Sequence, residues 1–352
     1  MNTSLQTTFL FLAMSTSTFF SPVISWAQDG SATDLRVTHG PLLGRPGPDT
    51  MSLWVRTERP GAVKVFYGIQ KETLNREASI KTTSLEHDYT GIITLNGLEA
   101  NTRYYYRIAD HQLSGSFRTL PKASDFMNPE GNPDGLFNFK FEFACGNNQN
   151  GGGNSAGPTV PVFDTLNQQV RDEVHFAILN GDWLYEQRRD YSPHSWLHQV
   201  GLDSMKEAPH VVQKAPSIVG VWENYKVFLE RGKNLSEWHR HIPSFYTADD
   251  HELLNDIYGA GETGYVNRRA VFRDIGTQAW FDYLAWANPV KHDQPAWFGT
   301  GELQAKSDIL EDPKADFTKL DFKQLANLHV HWGTTTAGVP DADGDGCFFS
   351  FS

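Results

Sequence analysis

Three groups of residues in this sequence carry side chains that can bind metal ions, and each group follows a short apolar run. They are Cys145 after residues 137–144, Asp182 and Tyr185 after residues 174–179, and Asp249-Asp-His-Glu252 after residues 244–247. Carboxylate, phenolate and thiolate groups are all known ligands of cations. The chemistry that these residue types allow is metal binding, provided that the chain brings them together.

The segment Asn180-Gly-Asp-Trp-Leu-Tyr185 has two interpretations. Asn180, Gly181 and Asp182 are turn-forming residues, so Asp182 could simply cap a following helix. Alternatively, Gly181 lacks a Cβ and allows a tight bend, which lets Asp182 reach a cation while Tyr185 returns to the same centre as a phenolate. The segment alone is compatible with both.

The segment Asp249-Asp-His-Glu252 contains four adjacent ionisable groups. Such groups cannot lie unpaired in a core, because burying a charge without a partner is costly. They must therefore be exposed, paired with other groups or gathered round a cation. Their position after a strand-like run favours a cluster gathered round a cation, because the two other candidate groups also follow strand-like runs.

The pattern of apolar residues predicts how these groups are positioned. Residues 137–144, a helical stretch at 160–173 and residues 174–179 predict a β-loop-α-β unit, whose strands are parallel with a right-handed crossover. Cys145 and Asp182 should then emerge at the same edge of the sheet. The run at 174–179 suits a central strand covered on both faces. Helical spacing also predicts helices at 221–231 and 277–287, with their aromatic residues in the core.

The first third of the chain has a different pattern. Short alternating strands at 51–56, 63–67 and 104–108 predict an all-β sandwich over residues 34–121. Residues 122–136 are rich in Pro, Gly, Asn and Asp and predict a linker. Residues 1–27 lack charged side chains and end in Ser25-Trp-Ala27, which predicts a signal peptide for general secretory export to the periplasm or the extracellular space; an unprocessed apolar tail is the alternative.

The composition limits the classes of function. The chain has 352 residues and a formal net charge of -12, so a groove for nucleic acid is not expected, and an anionic substrate would need bound cations to attract it. No later segment is apolar for long enough to span a membrane. Cys145 and Cys347 could form a disulfide in an oxidising compartment, although a chain of this size does not depend on one.

Taken together, the three motifs resemble those of the PhoD-like alkaline phosphatases, a branch of the calcineurin-like metallophosphoesterases. The order of the chain also resembles that family, in which a fibronectin III-like domain precedes the catalytic domain, and Leu98–Tyr106 resembles the tyrosine corner of fibronectin III domains. The resemblance implies a fibronectin III-like domain at 34–121 and an α/β phosphatase domain at 137–352. These follow the signal peptide at 1–27 and flank the linker at 122–136, both of which the composition predicts. The resemblance also implies iron and calcium cofactors and a small phosphomonoester or phosphodiester substrate.

The resemblance assigns a role to each motif residue. It implies that Cys145 and Tyr185 bind ferric iron, that Asp182 is shared between two metals, that Asp250 is a ligand where many relatives have Asn, and that His251 stabilises or protonates the leaving group. Asp249 and Glu252 either bind a metal or orient their neighbours. Rival interpretations are a non-catalytic exported binding protein and a binuclear hydrolase that resembles purple acid phosphatases.

Other segments offer weaker candidates. Leu328-His-Val-His331 could add two imidazoles on one strand face, and Asp341–Gly346 resembles half of a calcium loop. Nothing after Glu252 resembles the late Gly-Asp-Val-His segment of the family. We therefore expect a C-terminally incomplete domain whose sheet has one bare face and edge and whose activity is weak. The alternative is that His329 and His331 complete the site.

Overall fold

The computed structural model describes residues 35–82, 84–108, 113–150, 157–255, 269–289, 296–316, 318, 328–331 and 348–351. The predicted signal peptide and the calcium-loop segment Asp341–Gly346 lie outside these residues. Within the described part of the chain, no helix is both long enough and apolar enough to cross a membrane.

Seven antiparallel strands form a two-layered β-sandwich in the first part of the chain. They are β1 (Val37–Gly44), β2 (Thr50–Thr57), β3 (Gly61–Gly68), β4 (Arg76–Thr82), β5 (Thr90–Asn96), β6 (Arg103–Ile108) and β7 (Ser114–Arg118). One sheet has the order β1-β2-β5 and the other β4-β3-β6-β7. Alternate residues of β3, such as Val63 and Val65, point into the core between the sheets. The predicted sandwich is confirmed, and so is its tyrosine corner, because the Tyr104 hydroxyl accepts a hydrogen bond from the Glu99 N–H at 2.9 Å.

The predicted linker is short and folded on itself. It contains a 3-10 turn at Ala123–Asp125. The amide of Asn132 donates to the carbonyls of Phe126 and Leu136, both at 2.9 Å. Local hydrogen bonds therefore hold this segment between the sandwich and the next sheet.

A three-stranded parallel sheet follows, built from β8 (Phe141–Ala144), β9 (Phe176–Asn180) and β10 (Ser244–Thr247). The order is β10-β9-β8, and α1 (Val162–Gln169) makes the crossover between β8 and β9. This confirms the predicted α/β class and the central place of the second strand. Strand β8 begins four residues after the start of the apolar run at 137.

Only one face of this sheet is covered by residues that the structure describes. Ala177, Leu179 and Tyr246 are buried against the helices, whereas Phe141 and Phe143 are 49% and 60% exposed. In β9 itself, Phe176 and Ile178 on the second face are half-buried, so the predicted cover on both faces of this strand is only partial among the described residues. The apolar run is continuous because one side meets the helical core and the other carries a row of aromatic rings that includes Phe176.

Helices cover the buried face of the sheet and connect it to the sandwich. They are α2 (Pro193–Val200), α3 (His210–Lys214), α4 (Ile218–Arg231), α5 (Lys233–His239), α6 (Asp250–Leu253) and α7 (Arg269–Tyr283), followed by a 3-10 turn at Ala285–Ala287. Trp222 and Tyr225 of α4 are buried, as their spacing predicts. Trp54 of β2 donates to the Asp282 carbonyl at 2.8 Å, so the sandwich packs directly on α7.

Two small antiparallel pairs complete the described structure. They are β11 (Glu302–Leu303) with β12 (Leu310–Glu311), and β13 (Leu328–His331) with β14 (Phe348–Phe351). The apolar tail thus pairs with the strand that carries His329 and His331. Metal binding by these two histidines stays a prediction.

Candidate metal centre

The loops that follow the three parallel strands are tied together by hydrogen bonds. The N–H of Asn147, two residues after Cys145, donates to the Asp182 carbonyl at 2.7 Å. On the other side, the Thr247 hydroxyl donates to the Asn180 side chain at 3.0 Å. The carboxyl ends of β8, β9 and β10 therefore form one edge, as the parallel unit predicts.

The bend at Gly181 brings two of these loops into contact. Gly181 has φ 73° and Asp182 has φ 51°, both in the left-handed region. A Cβ on Gly181 would lie 2.6 Å from the Asp249 Cβ, so a larger residue would push the two loops apart. A left-handed Asp costs on the order of 1 kcal/mol, and such strain is found mainly at functional sites. Asp182 does not cap a helix, because the next helix begins at Pro193 and is capped by Ser192.

Asp182 lies at the centre of a group of potential metal ligands. Asp182, Asp250 and His251 each offer one ligand atom, and these atoms all lie within 4.8 Å of one another. The Tyr185 hydroxyl donates to Asp182 Oδ2 at 3.0 Å. The other oxygen, Oδ1, is buried and has no hydrogen-bond partner among the described residues. Because a buried carboxylate oxygen without a donor is unfavourable, this donor set fits a cation.

The electrostatics of the edge also fit a cation. Burial raises the pKa of Asp182, and the charges of Asp249 and Asp250 raise it further. The hydrogen bond from Tyr185 lowers this pKa but does not cancel the rise. Burial likewise raises the pKa of the Cys145 thiol, together with the charges of Asp182, Asp249 and Glu252. Without a cation, the negative charges of these acidic groups make it harder for each of them to ionise. A bound cation would lower their pKa values and favour the ionised forms.

His251 is oriented by a carboxylate that sequence analysis missed. Its Nδ1 lies 2.7 Å from Glu186 Oε2, and the other oxygen of Glu186 accepts the Asn255 N–H at 2.6 Å. Burial lowers the pKa of His251, but the hydrogen bond and charge of Glu186 outweigh it, so the pKa is raised overall. The only sequence signal was that Glu186 directly follows Tyr185 in the motif.

Glu252 is buried and holds the backbone of the loop that carries Asp182. Its carboxylate accepts N–H groups from Asp182 at 3.1 Å, Trp183 at 2.5 Å and Asp249 at 2.8 Å. Asp249 in turn caps α6, in a capping box with Glu252. Burial raises the pKa of Glu252 to about 7, although the backbone N–H groups lower it. Of the two roles left open for Asp249 and Glu252, these contacts fit the orientation of neighbouring groups.

Known families and structures match both parts of the chain. Residues 24–121 match the N-terminal domain of PhoD-like phosphatases, and residues 140–330 match the PhoD-like phosphatase domain. The chain belongs to the PhoD-like phosphatases. No curated protein matches it.

Two solved structures are similar to this PhoD-like chain. A structure described as that of PhoD has a TM-score of 0.54 and 16% identity over 77% of this chain and 50% of its own, which supports the fold. Purple acid phosphatase PPD1 from yellow lupin (Lupinus luteus) seeds has a TM-score of 0.42 and 11% identity over 74% of this chain and 42% of its own. The chain thus spans about half the length of the PhoD structure.

The side chains of the PhoD-like motifs do not all lie equally close to one another. Asp182, Asp250 and His251 form the closest group, and Tyr185 is bonded to Asp182. Cys145 is a free, exposed cysteine that lies on the same edge but outside the closest group of three. A Cβ on the next residue, Gly146, would lie 3.6 Å from the Tyr185 hydroxyl, which shows how near the Cys145 loop approaches.

Proposed function

We propose that this chain is a metal-dependent hydrolase of small phosphomonoesters or phosphodiesters. The observation that carries the proposal is the convergence of Asp182, Asp250 and His251 within 4.8 Å at the carboxyl edge of a parallel sheet, in a PhoD-like phosphatase. The net charge of -12 agrees with a small anionic substrate attracted by bound cations and with the absence of a nucleic-acid partner.

The side chains at the edge suggest which metals would be held. Cys145 and Tyr185 would bind ferric iron, because thiolate and phenolate ligands suit it, while Asp250 would bind a harder cation such as calcium. Asp182 would be shared, since one of its oxygens is buried without a partner among the described residues. When bound, such ions clamp a phosphoryl group and lower the pKa of an attacking water.

The chain's own residues supply orientation and a proton. Glu186 holds Nδ1 of His251, so the imidazole is fixed in direction and can stabilise or protonate the departing oxygen. Glu252 fixes the backbone at Asp182 and Trp183, and Arg189 donates to the carbonyl of His251 at 2.9 Å. These contacts hold the site without taking part in bond breaking, as phosphoryl transfer requires little covalent help from the protein.

The wider organisation is part of the same proposal. We infer a signal peptide at 1–27 and export to the periplasm or the extracellular space, a fibronectin III-like domain at 34–121 and a phosphatase domain from 137 onward. Support comes from the uncharged apolar start of the sequence and from the change from antiparallel sandwich to parallel sheet after residue 121.

The test is to measure metal content and hydrolysis of p-nitrophenyl phosphate and bis(p-nitrophenyl) phosphate on the same preparations. Asp182→Asn should lose bound metal and turnover together while keeping its circular dichroism spectrum. Asp203→Asn, an exposed aspartate in the same domain, is the matched control and should keep both. A metal-loaded wild type that hydrolyses neither ester would instead indicate a binding protein. Iron with zinc, or a second iron, would favour a centre like that of purple acid phosphatases.

A further inference from the structure

The loop after β8, residues 145–149 (the Cys145 loop), is bonded through Asn147 to the turn that follows β9. The Asn147 N–H donates to the Asp182 carbonyl at 2.7 Å, and the Asn147 side-chain amide donates to the Trp183 carbonyl at 2.9 Å. Asn147 is 7% exposed, so its amide bond is shielded from water. One residue of the Cys145 loop thus binds two consecutive carbonyls of the segment that carries Asp182.

The same two peptide units are held from the other side by Glu252. The N–H groups of Asp182 and Trp183 donate to the Glu252 carboxylate at 3.1 and 2.5 Å, while their carbonyls accept from Asn147. Asp182 has φ 51°, a left-handed conformation that persists only where surrounding contacts hold it. The loops after β8 and β10 therefore grip this strained turn from opposite sides.

An arginine at the end of α4 fixes the far end of the Cys145 loop. Arg231 donates from Nη2 to the Gln149 carbonyl and from Nη1 to the Gln187 side chain. One guanidinium therefore joins the loop after β8 to the loop after β9. Gln149 is fully buried, and its Nε2 donates to the Phe228 carbonyl at 3.1 Å. Because a guanidinium is planar and presents its donors in a rigid fork, this junction has a defined geometry.

These contacts determine where the Cys145 thiol lies. Cys145 is exposed, so the backbone of its loop positions it and packing of the side chain does not. Burial raises the pKa of Cys145, and the charge of Asp182 raises it further. Burial also raises the pKa of Tyr185, as do its hydrogen bond to Asp182 and the nearby Cys145. The three side chains are thus within electrostatic range of one another.

We propose that Asn147 and Arg231 are positioning residues that hold the Cys145 loop against Asp182, so that the Cys145 thiolate and the Asp182 carboxylate reach the same cation. The inference rests on the proposed function, because it takes Cys145 and Asp182 to share a metal. Removal of a group that orients a metal ligand typically costs about 10- to 100-fold in metal affinity. Both residues act through the backbone of the loop and need not touch the cation.

Two metal titrations separate this role from a general loss of structure. Co²⁺ bound by a thiolate shows a sulfur-to-metal charge-transfer band, whereas Mn²⁺ prefers oxygen ligands and needs only the carboxylates. Asn147→Ala should bind Co²⁺ about 10- to 100-fold more weakly than the wild type and lose most of the band for each bound ion. Its Mn²⁺ affinity should stay close to that of the wild type, because Glu252 still holds Asp182.

Matched variants control for the loss of a hydrogen bond as such. Asn167 donates from its amide to the Asn234 carbonyl at 2.9 Å, but this bond joins α1 to α5. Asn167→Ala should therefore bind both ions as the wild type does. Arg231→Gln should act as Asn147→Ala does. Arg76→Gln should not, because the Arg76 guanidinium donates to two backbone carbonyls within the sandwich.

The proposal is overturned if the wild type binds Co²⁺ without a sulfur band, if Asn147→Ala and Asn167→Ala behave alike, or if Co²⁺ and Mn²⁺ affinities fall together. Should circular dichroism show that Asn147→Ala does not fold, the comparison of Arg231→Gln with Arg76→Gln decides by the same criteria. Both titrations are made without substrate. A wild type that binds metal and hydrolyses neither ester would therefore refute the proposed function and leave this result intact.

Discussion

Glu186→Gln provides a sharp test of how the site orients its histidine. In the wild type, one oxygen of Glu186 accepts the Asn255 N–H and the other faces His251 Nδ1 at 2.7 Å. A glutamine has only one oxygen. Because Asn255 offers only a donor, the amide oxygen should remain there and the amide nitrogen should face Nδ1. His251 must then accept at Nδ1, and its cationic form loses its partner.

The structure sets the size of the effect. The lost contact is a charge-assisted hydrogen bond between partly buried groups, since the His251 and Glu186 side chains are 19% and 17% exposed. Such bonds contribute about 1.5–3 kcal/mol, which corresponds to about a 10- to 150-fold loss in kcat if the bond acts in the transition state. The loss should be larger for phenyl phosphate than for p-nitrophenyl phosphate, because the poorer leaving group needs the proton more.

A double-mutant cycle decides whether Glu186 acts through His251. We would measure kcat for Glu186→Gln, His251→Ala and the double variant, with metal content determined on each. The double variant should be no slower than His251→Ala. Glu173→Gln, an exposed glutamate, is the control and should match the wild type. A role of Glu186 through His251 is refuted if the two single losses multiply in the double variant, or if Glu186→Gln loses metal.

Three further predictions concern other residues. Iron-loaded wild-type protein should be coloured by charge transfer from Tyr185, and Tyr185→Phe should bleach the visible band; an unchanged spectrum would exclude the phenolate. Asp88→Asn leaves the buried Arg56 guanidinium without its bidentate partner, so urea denaturation should show a loss of about 3–5 kcal/mol; a loss below 1 kcal/mol would contradict this. Burial lowers the pKa of His239 to about 3 in the folded chain. Below about pH 6.5, His239 therefore takes up a proton in the unfolded chain but stays neutral in the folded chain. Stability should therefore fall by about 1.4 kcal/mol per pH unit from pH 6.5 towards 3 through this group, and His239→Gln should flatten that slope in pH-dependent denaturation.

Local sequence patterns were enough to predict the two-part fold. Alternation at 63–67 and helical spacing at 221–231 are properties of short segments, and both elements appear where they were predicted. Periodicity did not show that Phe141 and Phe143 are exposed, because an apolar run looks the same whether one face or both are covered. The expectation of one bare sheet face came instead from the lack of a late segment that resembles the one in the family.

The candidate site was predictable only in part. The motifs placed Cys145, Asp182 and Asp250 after strands, and the parallel order of β8, β9 and β10 was enough to bring those ends to one edge. The role of Glu252 was left open, since no pattern in four adjacent ionisable residues shows which one turns inward. The structure shows that it accepts backbone N–H groups about seventy residues away in sequence.

The sequence by itself therefore determined which segments are strands and helices and which residue types stand at their ends. Only the tertiary structure decided which side chains meet. Glu186 faces His251 across 65 residues, and His239 borders a cavity whose other wall is strand β1. Such contacts depend on the left-handed bend at Asp182 and on how the sandwich packs against α4 and α5. Neither is encoded in local periodicity, because both arise from long-range packing and backbone geometry.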